Sequence, residues 1–195
     1  NTTGATNVAI GRNSLQGNTT AADNVAIGSN AMYTNSTGAY NVAVGTNSLY
    51  ANTSAASNTG VGWSALNANT TGTTNVALGR SALAANTTGS ENIAIGAYAL
   101  DTATTANGNT GIGYAALTAN TSGASNVAVG NYALDANTTA ADNTAIGYDA
   151  LGANIDGAGN TAVGKSALDV NTTGAGNVGL GKNALGANTT ADSNT

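Results

Sequence analysis

The chain has 195 residues, a formal net charge of −5, only 7% charged residues, and no histidine, cysteine, proline or phenylalanine. Without histidine or cysteine it lacks the commonest general base, the commonest transition-metal ligands, a thiol nucleophile and any disulfide framework. Its sparse acidity offers no complementary patch to nucleic acid or to an anionic membrane, and no apolar run approaches the ~20 residues needed to span a bilayer.

The sequence is a tandem array with a period of 17 residues. Taking Asn75 as position 1, asparagine recurs there at Asn7, Asn24, Asn41, Asn58, Asn75, Asn92, Asn109, Asn126, Asn143, Asn160, Asn177 and Asn194. Position 5 is always glycine, at Gly11, Gly28, Gly45, Gly62, Gly79, Gly96 and onward to Gly181. Position 9 is leucine in every unit except at Met32. A fixed period of this size marks a solenoid, in which each unit buries its apolar residues only against its neighbours, so residues 1–195 read as a single repeat domain. The chain starts at position 12 and stops at position 2 without a polar capping unit. That pattern predicts a slice of a longer array, or a subunit meeting others end to end.

Within a unit, positions 1 to 5, as in Asn24-Val25-Ala26-Ile27-Gly28, predict a strand. Val25 and Ile27 lie on one face, with Asn24, Ala26 and Gly28 on the other. Positions 8 and 9, as in Ala82-Leu83, predict a second short extended segment. Asn86-Thr87-Thr88-Gly89 then predicts the return turn. Each unit is thus expected to form one rung of an all-β, parallel β-solenoid. About eleven rungs at ~4.8 Å would give a rod of about 53 Å.

Both faces of the strand are apolar, one large and one small, and such strands are usually covered on both sides. If valine and isoleucine fill the coil, the Ala/Gly stripe at position 3 lies outside. If the small residues fill it, the larger stripe needs a cover. Either arrangement predicts lateral association with further copies of the chain.

Bulky and charged side chains concentrate at positions 6, 7, 10 and 17, which predicts that these face outward. Arg12, Arg80, Lys165 and Lys182 are all at position 6. Trp63, Tyr114 and Tyr148 share that position, Tyr98 and Tyr132 occupy position 7, Tyr33 and Tyr50 position 10, and Tyr40 position 17. These aromatics are candidate surface contacts for a cell-surface glycan or receptor, although their spread over four positions favours scattered surface residues. The threonines at positions 13 and 14 would form hydroxyl ladders suited to ice or polysaccharide if exposed, with turn chemistry the favoured account.

Ten glycosylation sequons begin at the position 12 asparagine, including Asn1, Asn18, Asn69 and Asn188. Stacked sites ~4.8 Å apart would crowd glycans, which favours a turn-forming asparagine ladder. Gly60-Val61-Gly62-Trp63-Ser64-Ala65 and Gly111-Ile112-Gly113-Tyr114-Ala115-Ala116 match a fragment of the dinucleotide fingerprint, but no helix is predicted after either. No unit carries the Gly-Gly-x-Gly-x-Asp pattern of calcium-binding β-rolls, and no metal or cofactor is expected. The array is irregular at Ala103, at Asn107-Gly108 and at Ile155-Asp156.

Asn7-Val8-Ala9-Ile10-Gly11, Asn92-Ile93-Ala94-Ile95-Gly96 and Asn143-Thr144-Ala145-Ile146-Gly147, each followed two residues later by an Ala-Leu or Ser-Leu pair, resemble the head repeats of trimeric autotransporter adhesins. With the Asn-Thr-Thr-Gly turn, the units also resemble arrays in phage tail fibre proteins. The resemblance implies a homotrimer of parallel β-rolls, extracellular, at a cell surface or on a virion, serving as a stiff stalk or adhesive head. The unit here is longer than the usual adhesin repeat, and no coiled-coil stalk or anchor accompanies it. The expected function is therefore a structural fibre segment. A self-polymerising filament or functional-amyloid-like matrix protein, and an ice- or glycan-binding solenoid, are the alternatives. An enzyme is not expected, since no position unites a nucleophile, a base and an orienting group.

Overall fold

The computed structural model describes residues 3–195. Eleven three-residue strands, from β1 (Val8–Ile10) and β2 (Val25–Ile27) to β11 (Val178–Leu180), form one parallel sheet in chain order. Register never slips: Ala77 pairs with Ala94 as Ala9 pairs with Ala26, one repeat on. No helix occurs among the described residues. The chain is therefore an all-β, parallel β-solenoid with one repeat per rung.

The strand is shorter than the alternation suggests, covering positions 2 to 4 alone, because glycine ends it. Gly28 has a φ of 132°, and a Cβ there would lie 2.6 Å from the carbonyl oxygen of Gly45 in the next rung. Only glycine combines that backbone angle with that approach.

Positions 8 and 9 form no strand, contrary to the reading of Ala82-Leu83. The chain turns continuously from position 6 to position 11, with left-handed residues at Ser81 (φ 53°) and Leu83 (φ 51°). The backbone still hydrogen-bonds between rungs. Leu83 N–H donates to Ala99 O at 3.0 Å and Ala85 N–H to Asp101 O at 3.0 Å, while Ser81 N–H reaches back to Trp63 O at 2.9 Å. Rung-to-rung bonding thus runs around the coil and leaves few orphan groups.

The inner face belongs to the small residues. Ala77, Ala82 and Leu83 are fully buried, as are their counterparts in the other interior rungs, Ala94, Ala99 and Leu100 among them. One leucine per rung is the main apolar filling, contributing about 1.5–3 kcal/mol. The remaining interior is polar. Asn75 and Asn86 are both fully buried, and their amides clamp one carbonyl from two sides, Asn75 Nδ2 to Gly89 O at 2.8 Å and Asn86 Nδ2 at 3.0 Å. Along the rod Asn75 donates from N and Nδ2 to Asn58 Oδ1, at 2.9 and 3.1 Å, and Asn86 Nδ2 donates to Asn69 Oδ1 at 2.8 Å. These ladders close the coil with charge-free bonds and satisfy most of the amides that burial would otherwise penalise, Asn86 Oδ1 and Asn143 Nδ2 being the buried exceptions.

One substitution pair shows how tightly this interior is shared. Ser48 replaces the usual alanine at position 8 and donates its hydroxyl to Gly60 O at 2.9 Å. A Cβ on Gly60 would lie 2.7 Å from Ser48 Oγ, whereas Ser14 makes the equivalent bond to Ala26 O at 3.3 Å with the alanine retained. Gly60 and Gly111 are both strand residues, which places the dinucleotide-like fragments in the sheet, with no helix following.

Candidate functional site

Three features of the outer surface arise from these backbone constraints. The first is the outer face of the sheet. With alanine or glycine inside at position 3, alternation turns positions 2 and 4 outward. Position 4 is Ile, Val or Leu in every strand, and position 2 is Val, Ile or Thr. Their side chains are half-buried or exposed, Ile93 and Ile146 among the exposed ones. The result is an unbroken, uncharged stripe along the sheet, roughly 50 Å by 10 Å, or on the order of 500 Å². That lies toward the top of the ~300–600 Å² that the largest apolar patch on a monomer usually reaches.

The second feature is an aromatic and cationic ladder, contrary to the expectation of scattered aromatics. Arg80 lies with its guanidinium 5.3 Å from the Trp63 ring centre and 5.4 Å from that of Tyr98. Tyr98 meets Tyr114 edge to face at 5.9 Å, Tyr114 meets Tyr132 at 5.4 Å, and Tyr132 meets Tyr148 at 5.9 Å. Lys165 Nζ lies 5.4 Å from the Tyr148 ring centre and ends the series. Seven consecutive rungs each contribute one side chain, from position 6 or position 7, over ~29 Å at the strand spacing. Each edge-to-face pair is worth about 0.5–1.5 kcal/mol beyond area burial, and each exposed cation–π contact about 0.5–1 kcal/mol. Trp63 and Tyr148 keep 51% and 49% of their surface exposed, so the ladder remains open to solvent. Beside it, burial raises Asp135 above the ordinary carboxylate range and Asp149 adds to that shift. Asp149 is raised by burial and by Asp169, with Lys165 partly opposing.

The third feature is a groove of about 380 Å³ between the position 7 and position 10 columns, lined by Asn30, Asn47, Tyr50 and Asn67. Tyr50 is stacked on Tyr33, with ring centres 5.2 Å apart and planes 4° apart. Tyr33 and Tyr50 are thus separate from the ladder, and Tyr40 stands exposed at position 17.

The remaining expected sites serve the rod itself. Asn18, Asn35, Asn52, Asn69 and Asn86 are buried, and the Nδ2 that a glycan would need already donates to a carbonyl three residues on, as Asn69 does to Gly72 O at 3.0 Å. The sequon at Asn1 lies outside the described residues. The position 13 hydroxyls are likewise engaged, Thr70 Oγ1 donating to Thr87 O and Thr87 Oγ1 to Thr104 O, both at 2.9 Å. Exposed hydroxyls remain at position 14, in Thr71, Thr88 and Thr105. No group of three or more Asp or Glu side chains is placed to hold a metal ion among the described residues. No known protein family, curated protein or solved structure matches the chain.

Proposed function

We propose that this chain is a non-catalytic structural rod that associates laterally with copies of itself, as a homotrimer, in an extracellular or virion-borne fibre. The observation that carries the reading is the uncharged Val/Ile/Thr stripe at positions 2 and 4, which runs the length of the sheet without a cover. A surface with this spacing is complemented along its whole length by one of equal spacing, and a second and third copy supply it. The likeness of the repeat to adhesin heads and tail-fibre arrays supports the same arrangement. Its role is mechanical: rungs bonded in register resist bending, and side chains at positions 6 to 10 are displayed many times over.

Light scattering on the protein and on a Leu78→Lys, Ile95→Lys double variant tests this. A threefold mass for the parent and a folded monomer for the variant are expected, since both substitutions lie on the outer face and spare the interior. A monomeric parent would overturn the reading. In-register pairing throughout the sheet favours one other arrangement, axial growth into filaments. Negative-stain images of the same sample separate uniform short rods from filaments of indefinite length.

A further inference from the structure

The groove beside Tyr50 has the chemistry of a binding site, and its origin can be traced to a single change in the repeat. Position 7 carries asparagine in the first three rungs. Their amides form an outer ladder, Asn13 Nδ2 to Asn30 Oδ1 and Asn30 Nδ2 to Asn47 Oδ1, each at 3.1 Å. The next rung has Ser64 at that position. The ladder stops there, and Asn47 Nδ2 is left without an acceptor at the groove wall. Across the groove, Asn67 donates its amide to Asn47 O at 3.0 Å, which leaves its Oδ1 as an acceptor. Tyr50, backed by Tyr33, supplies an aromatic wall and a hydroxyl.

We propose that this groove binds a neutral pyranose sugar. The groove, of about 380 Å³, is shallow and open to solvent, so a ligand would lie against its walls with one side exposed. An unpaired amide donor on Asn47 and an amide acceptor on Asn67, both lining the groove, match sugar hydroxyls, each of which both donates and accepts. A tyrosine ring offers an apolar wall to the C–H face of the sugar and a polar tip to its rim. No ionised side chain lines the groove, so a phosphate, sulfate or carboxylate ligand would find no counter-charge. The groove lies on positions 7 and 10, beside the aromatic ladder on positions 6 and 7.

The test is a titration of ¹⁵N-labelled protein with the methyl β-glycosides of glucose, galactose and N-acetylglucosamine, and with cellotetraose and chitotetraose. Side-chain amide signals report the contact. The expected result is a shift of the Asn47 and Asn67 amide pairs with at least one probe, weakened about tenfold or more by Tyr50→Ala, and by Asn47→Ser as read on the Asn67 pair that this variant keeps. Both variants place residues that the chain already carries at those positions, in Ala84 and Ser64, so folding is preserved. Tyr148→Ala, on the ladder, should leave the groove response unchanged for the monoglycosides. A response to monoglycosides supports recognition of a single ring such as terminates a free oligosaccharide. A response to tetrasaccharides alone supports a polymer that continues past the groove. The proposal is overturned by an unmoved Asn47 amide at probe concentrations on the order of 10 mM, or by shifts that persist in both groove variants.

Discussion

Asn86 Oδ1 is buried without a hydrogen-bond partner because Ala103, one rung on, stands where the asparagine ladder would supply a donor. In neighbouring rungs that bond is made, Asn69 Nδ2 to Asn52 Oδ1 at 3.1 Å and Asn137 Nδ2 to Asn120 Oδ1 at 3.1 Å. A buried acceptor left unmade costs about 1–3 kcal/mol. Ala103→Asn should therefore raise stability by about 1–2 kcal/mol, because the new Nδ2 reaches Asn86 and the new Oδ1 receives Asn120. Urea unfolding monitored by circular dichroism measures the change. A variant no more stable than the parent would mean that the site does not accept the larger side chain.

Leu83 occupies the left-handed region at φ 51° while its side chain is fully buried. Leucine tolerates that backbone only where the fold over-determines it, and a β-branched residue tolerates it far less. Leu83→Val should cost more than the about 0.8 kcal/mol of a lost methylene, the excess reporting the added strain of a β-branched side chain at a positive φ. Leu83→Met should cost less than about 1.5 kcal/mol, since Met32 already fills this position at φ 48°. Thermal melts of the two variants give the comparison. Equal losses would remove the backbone from the explanation.

The strand is legible in Val76-Ala77-Leu78 and its copies because alternation and β-branching act locally, and the rung because the period is invariant. The inner face is not, since the alternation is of size and not polarity. It takes the burial of Ala77 beneath half-buried Val76 and Leu78 to decide between the two stripes. Ala82-Leu83 reads as extended because both residues are apolar, and nothing in a leucine signals a positive φ. The ladder is hidden in the sequence because Tyr98 and Tyr132 differ in position from Tyr114 and Tyr148, yet side chains from positions 6 and 7 of successive rungs meet. The groove depends on Ser64 succeeding Asn47 one rung on, a change that carries meaning only once the asparagine ladder is known to run along the rod.

Ala94 lies at the centre of its strand on the inner face, fully buried, whereas Ala97 sits outside at the position that carries Arg80 and Lys165 in other rungs. Ala94→Glu forces a carboxylate into a space filled by alanine and leucine, where it finds no cation and its neighbours cannot retreat. Loss of the cooperative melt, or a fall in stability of more than about 4 kcal/mol, is expected. Ala97→Glu should remain within about 0.5 kcal/mol of the parent. Similar melting curves for the two variants would contradict the assignment of inner and outer faces.

Acidification should stabilise the rod. Burial, followed by the charge of Asp149, holds the Asp135 carboxyl above its ordinary value of 3.8, and burial followed by the charge of Asp169 does the same for Asp149. Burial alone raises Asp101. For an acid whose folded-state pKa exceeds the unfolded one, the folded state binds the proton more tightly, so stability grows as pH falls through the raised value and levels off below the ordinary one. Melting temperature should accordingly be higher near about pH 4.5 than near about pH 7. Asp135→Asn with Asp149→Asn should raise the melting temperature at neutral pH and shrink the difference between the two conditions. Asparagine suits both places, occurring at the same positions in Asn67 and Asn47, the latter with φ 57°. A pH difference that survives the double substitution would assign the effect to other carboxylates.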